Sequence, residues 1–93
     1  MARIRILIAD GDPAFLAGVR TTLEHDGGFD VVAETHDSRQ LLALVGATDP
    51  QVILLDAQPE TIVLLDEIRI RFPAVKVVIC ALTVDHPSLD DLD

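Results

Sequence analysis

Two short apolar runs in this sequence each stop on a carboxylate: Arg3-Ile4-Arg5-Ile6-Leu7-Ile8-Ala9-Asp10 and Gln51-Val52-Ile53-Leu54-Leu55-Asp56. A continuous apolar run of this length, without polar alternation, reads as a strand buried on both faces, the kind found in a parallel sheet. Set side by side in parallel, the two runs bring Asp10 and Asp56 together at their carboxyl ends. That edge is where open α/β sheets carry their ligand sites. Two acids there repel each other unless a cation or a proton lies between them. The pattern predicts an α/β fold built around a small acidic pocket.

The intervening punctuation supports the same architecture. The first strand covers Ile4–Ala9, and Asp12-Pro13 opens a helix with Asp12 as its cap and Pro13 in the first helical position. Phe15, Leu16, Val19 and Leu23 recur at helical spacing, and Gly27-Gly28 ends that helix. Phe29–Ala33 reads as a shorter second strand nearer an edge, because Asp30 interrupts it. Asp37 followed by Gln40 resembles a capping box for a second helix, with Leu41, Leu42, Leu44 and Val45 on its apolar side. Gly46 and Asp49-Pro50 close it. Val52–Leu55 is the third strand. Glu60–Arg71, with Leu64, Leu65 and Ile68 on one face, reads as a third helix, and Val75–Leu82 as a fourth strand. His86-Pro87-Ser88 opens a further helix. Strands alternating with helices in this way imply βα units, a parallel sheet and right-handed crossovers.

Composition tests whether such a sheet is feasible. At 93 residues with 49% apolar content, one domain with a real core is possible, but aromatics are only 3% and the core must come from Val, Ile, Leu and Ala. The net charge of −9 argues against a direct grip on nucleic-acid phosphates. Cys80 sits inside an apolar run as a lone thiol, read as a buried, reduced residue of a cytoplasmic protein. No signal-peptide pattern and no membrane-length apolar stretch occurs. His25, His36 and His86 have no metal-ligand spacing and read as surface residues, and Arg69 and Arg71 suit a helix C-terminus. The apolar fourth strand lacks cover, so the chain is expected to be truncated before a last strand and helix, or to pair with a partner, most simply as a homodimer or swapped assembly.

At this point the chain resembles the receiver domain of bacterial two-component response regulators, and most of all the LuxR/NarL-type subgroup. The residues that carry the resemblance are Ile6-Leu7-Ile8-Ala9-Asp10-Gly11-Asp12-Pro13, Phe15 through Leu23, Val31-Val32-Ala33-Glu34, Asp49 through Asp56, and Phe72-Pro73-Ala74-Val75-Lys76-Val77-Val78-Ile79. It covers essentially all of residues 1–93. It implies an α/β three-layer sandwich, flavodoxin-like (CheY-like), with strand order 2-1-3-4 and a fifth strand missing or supplied by a partner. It further implies a signal receiver rather than an enzyme, accepting a phosphoryl group from a sensor histidine kinase on Asp56. Mg²⁺ would be held by Asp10, Asp56 and the backbone carbonyl of Gln58. Transcriptional output would follow from DNA binding by a further C-terminal helix-turn-helix domain.

The sequence departs from the family pattern at several of these positions. The second acid after the first strand is replaced by Gly11, which offers no ligand. Asp12 is a helix cap or a substitute ligand. The hydroxyl residue at the end of the fourth strand is replaced by Ala81, with Thr83 two residues on. The loop after Asp56 is shorter and lacks the Met-Pro-Gly stretch, and the lysine of a fifth strand is not in this chain. Two alternatives stay open at this level. One is a degenerate, phosphate-independent receiver acting as a dimerisation or partner-binding module. The other is a haloacid-dehalogenase-type phosphatase with Asp10 as nucleophile and Asp12 as general acid/base.

Overall fold

The computed structural model describes residues 3–80, so the expectations for Ala81, Thr83 and the helix opening at His86 lie outside the described residues. Its strands are β1 (Ile4–Ala9), β2 (Phe29–Thr35), β3 (Val52–Asp56) and β4 (Lys76–Cys80), and they form one parallel sheet in the order β2-β1-β3-β4. The helices are α1 (Pro13–Asp26), α2 (Leu41–Thr48), α3 (Pro59–Ile62) and α4 (Leu65–Arg71).

Ile6–Ala9 of β1 and Val52–Leu55 of β3 are continuously apolar because both faces of the sheet are covered there. On one face Leu7 and Ala9 of β1 lie in register with Ile53 and Leu55 of β3. These four form a single buried cluster with Leu41 and Val45 of α2 and Ile68 of α4. Strand alternation turns Ile6 and Ile8 to the opposite face, where Leu16 is the buried residue of α1. The outer strand β4 is thinly covered: Val78 is 46% and Ile79 40% exposed.

Local signals fix the element ends. Asp12 accepts the Ala14 N–H at 3.0 Å and caps α1, and Gly27 ends it at φ 84°, a left-handed conformation that glycine adopts without steric cost. Four expectations need correction. Asp37 caps a 3₁₀ turn, Ser38–Gln40, by accepting the Arg39 N–H at 2.9 Å, and Gln40 does not reach back to complete a capping box. The Thr35 hydroxyl stands in between, accepting the Asp37 N–H at 3.0 Å and lying 3.1 Å from Gln40 Oε1. Gly46 does not close the second helix; it lies inside α2 against the Phe72 ring, and Asp49 ends the helix at φ 49°.

The third expected helix, Glu60–Arg71, is two. Leu64 N–H bonds to Thr61 O at 3.0 Å, a tightened three-residue step that separates α3 from α4. The β-branched run Thr61-Ile62-Val63 weakens the helix at this point. β2 also runs two residues longer than expected. A register shift between Ile6 and Leu7 lets β1 pair with Val31 and then Ala33, and pairing continues to Thr35 opposite Ala9.

Candidate functional site

The longer β2 contributes to the site directly: its Thr35 carbonyl accepts the Asp10 N–H at 3.1 Å and holds the turn after β1. Asp10 follows β1 and Asp56 ends β3, so the sheet order alone brings the two acids to one edge. They line a small cleft of about 70 Å³ together with Ala9, Gly11, Thr35, His36, Ser38, Gln58, Glu60 and Thr61.

Asp56 is 7% exposed, so its carboxylate needs donors. One is the Gly11 N–H, 3.0 Å from Oδ2. The other is the Thr61 hydroxyl, which lies 3.0 Å from Oδ1. Asp10 Oδ1 accepts the Asp12 N–H at 2.8 Å. The Asp10 carboxyl is raised above its usual 3.8, first by burial and then by the negative charges of Asp56 and Asp12, against the lowering effect of the Asp12 N–H. Burial likewise raises the Cys80 thiol, with the charge of Asp10 adding to it. Cys80 faces Asp56 in the β3–β4 register, and a thiol held protonated beside an acid is a poor nucleophile.

The raised Asp10 carboxyl gives a pH prediction. An acid held above its unfolded value binds its proton more readily in the folded state, so stability falls as pH rises through the interval from 3.8 to the raised value. The deficit is fully present at neutral pH. Asp10→Asn is therefore expected to raise the melting temperature at neutral pH in metal-free buffer, with the advantage gone below pH 3.8. Thermal melts of both proteins at the two pH values check this, and equal midpoints at neutral pH would refute a cost of ionising the part-buried Asp10.

Of the other expected ligands, Gln58 lines the same cleft as the pair and Asp12 does not. Asp12 is exposed, has its carboxylate on the α1 cap and is not among the cleft residues. The Gln58 carbonyl accepts the N–H groups of Thr61 at 3.0 Å and Ile62 at 2.9 Å, which starts α3. Thr35, His36, Ser38, Glu60 and Thr61 are cleft residues that the sequence reading did not single out. A signal existed for Thr61: Pro59 can only begin a helix this close to Asp56, and that places the next residues over the strand end.

A parallel sheet ordered β2-β1-β3-β4, with acids closing its two middle strands, is the architecture of a receiver module. The sequence pattern of the response regulator receiver domain matches residues 6–91, and the chain belongs to that family. It is 37% identical over 87 residues to the nitrate/nitrite response regulator protein NarP of Escherichia coli strain K12, covering 92% of this chain and 40% of that relative. It is 31% identical over 87 residues to the transcriptional regulatory protein DegU of Brevibacillus brevis, covering 90% of this chain and 37% of DegU. The isolated receiver domain of RcsB from Salmonella enterica serovar Typhimurium, solved with the phosphomimetic BeF3⁻, superposes with a TM-score of 0.77 at 26% identity. That match covers 99% of this chain and 73% of the RcsB chain. The chain thus spans less than half the length of the curated relatives it matches. Family membership replaces the phosphatase alternative, whose general acid/base would have been the helix cap Asp12.

Proposed function

We propose that this receiver accepts a phosphoryl group on Asp56. The observation that supports it is the buried Asp56 carboxylate at the end of β3, held by the Gly11 N–H and sharing its cleft with Asp10. An Asp56 oxygen attacks phosphorus and the new P–O bond forms as the bond to the donor breaks. The electron pair leaves on the imidazole nitrogen of a kinase histidine, or on acetate when acetyl phosphate is the donor. Burial leaves few waters around the carboxylate, and the Gly11 N–H, fixed by the turn after β1, keeps its orientation through the step.

Two carboxylates facing one cleft are the oxygen donor pair that a hard divalent cation takes, so the residues fit Mg²⁺. Asp10 and Asp56 would hold it. The Gln58 carbonyl, on the same cleft, would be a further ligand, while the Asp12 carboxylate is engaged at the cap of α1. When bound, Mg²⁺ supplies neutralisation of the charge gathered by the carboxylates and the phosphoryl oxygens.

The wider assignment is part of the same proposal. RcsB from Salmonella enterica serovar Typhimurium has been solved on the promoter P1flhDC, a match with a TM-score of 0.76 at 27% identity over 84% of this chain. Another solved assembly holds two RcsB dimers on two parallel DNAs. By analogy this receiver works in the cytoplasm within a longer transcription regulator. A sensor histidine kinase is its phosphodonor, it forms a homodimer, and DNA is bound by a helix-turn-helix domain rather than by this acidic module. Among the described residues no helix is long and apolar enough to cross a membrane.

Incubation with acetyl phosphate and Mg²⁺ followed by intact mass spectrometry tests the proposal. The wild type is expected to gain one phosphoryl group and Asp56→Ala none. One observation favours a second reading, the phosphate-independent receiver: with Gly11 in place of an acid, no group of three or more His, Cys, Asp or Glu residues among the described residues is arranged to hold a metal ion. No mass gain in the wild type would select that reading.

A further inference from the structure

We infer that Thr61 is the positioning residue of the phosphoacceptor, fixing the Asp56 carboxylate through its hydroxyl. The inference rests on the reading of Asp56 as the acceptor. Thr61 is 5% exposed, and a hydroxyl at that depth needs a partner. Three acceptors surround it: Asp56 O at 2.7 Å, Gln58 O at 2.8 Å and Asp56 Oδ1 at 3.0 Å. The hydroxyl has one proton for all three.

The two carbonyls lie closer, and charge favours the carboxylate. The Gln58 carbonyl already accepts the Thr61 and Ile62 N–H groups, and both backbone carbonyls are neutral. A hydrogen bond to an ionised oxygen is about twice as strong as one between neutral groups. The Gly11 N–H serves Oδ2, so the Thr61 hydroxyl is the donor for Oδ1 among the described residues. One donor comes from the turn after β1 and the other from α3. Held on both oxygens, the carboxylate plane cannot rotate freely, and the oxygen turned to the cleft keeps one lone pair in an attacking direction.

The short loop is what makes this possible. Because Pro59 starts α3 three residues after Asp56, the hydroxyl two residues further on comes back against the acceptor's own side chain. In the sequence Ala81 stands where the family carries a hydroxyl residue, and Thr61 brings a hydroxyl to the acceptor from α3.

The test measures the rate of phosphoryl gain by intact mass against acetyl phosphate concentration, with Mg²⁺ present, for the full chain. The variants are Thr61→Val, which has nearly the same shape without the hydroxyl, and Thr61→Ser, which keeps it. Thr61→Val is expected to lower the limiting rate about tenfold, with the half-saturating phosphodonor concentration unchanged. Thr61→Ser is expected to stay close to wild type. Melting curves establish that each variant is folded at the assay temperature, and Thr61→Ala replaces Thr61→Val if the latter is not. A hydroxyl-free variant as fast as wild type, or Thr61→Ser as slow as Thr61→Val, overturns the positioning role while leaving Asp56 as acceptor. No gain in the wild type overturns both.

Discussion

Ile53→Ala is expected to lower the melting temperature by about 10 to 30 °C. Ile53 is fully buried in β3, in register with Leu7 of β1 on one side and Val77 of β4 on the other. Its side chain belongs to the cluster that joins the sheet to α2 and α4. Cutting a buried Ile to Ala removes its transfer energy and leaves a cavity, a loss of about 2–5 kcal/mol. A domain this small has only about 5–15 kcal/mol to lose, and each kcal/mol moves the midpoint by about 4–8 °C. The low aromatic content sharpens the effect, because branched aliphatic neighbours wedged between two strands have little freedom to collapse into the space. Ile70→Ala is the matched control. Ile70 is 76% exposed, and its removal is expected to change stability by no more than about 0.5 kcal/mol. Thermal or urea unfolding of both variants checks the pair, and similar losses at the two positions would refute the core assignment.

That core was largely legible from the sequence, for a reason that Ile53 illustrates. The stretch of a strand buried on both faces is apolar at successive positions, so Ile6–Ala9 and Val52–Leu55 stand out without any periodicity. Asp12-Pro13 was equally plain, because a cap followed by proline leaves the chain little choice but to start a helix. The failures occur where a tertiary partner overrides a local pattern. The Asp37–Gln40 spacing matches a capping box, but Thr35 reaches the same N–H first, and it could do so only because a register shift carried β2 further. Glu60–Arg71 has helical apolar spacing, yet Thr61 is drawn to Asp56 and the chain tightens at Leu64.

The site was legible in the same uneven way. Asp10 and Asp56 could be placed together because strand order and strand ends are written in the sequence. Thr61 and Gly11 contribute through one hydroxyl and one backbone N–H, whose directions depend on how two turns close. Neither direction follows from residue type. Gln58 lies on the cleft where its place in the chain suggests, and its carbonyl also starts α3.

Gly11→Asp is expected to tighten Mg²⁺ binding about tenfold. By its resemblance to receivers the sequence has Gly11 where a second acid is expected, and the structure has room to restore one. Its backbone is outside the left-handed region, where Gly27 alone of the described glycines lies, so an L side chain is unstrained there. A Cβ at Gly11 would meet Asp56 Oδ2 at 3.8 Å, an ordinary van der Waals distance, and the N–H that holds that oxygen is retained. The new carboxylate joins Asp10 and Asp56 at the cleft. Without a cation it adds a third negative charge beside an Asp10 carboxyl that is already raised, so the metal-free variant is expected to melt below wild type. With Mg²⁺ the same charge becomes a ligand. Two opposite unit charges at 4 Å gain about 1 kcal/mol in water and about 4 at a protein surface. Solvent exposure of the cleft mouth cuts this towards the lower end, and about 1.4 kcal/mol is a tenfold change in affinity. Gly11→Ala separates charge from backbone effects, since it adds only the methyl group and should leave the Mg²⁺ midpoint where it is. Calorimetric titration with Mg²⁺, or the rise of the melting temperature with Mg²⁺ concentration, measures all three proteins. A Gly11→Asp protein that melts lower at every Mg²⁺ concentration would mean that the added acid meets no cation, and that Asp10 and Asp56 face something other than a metal.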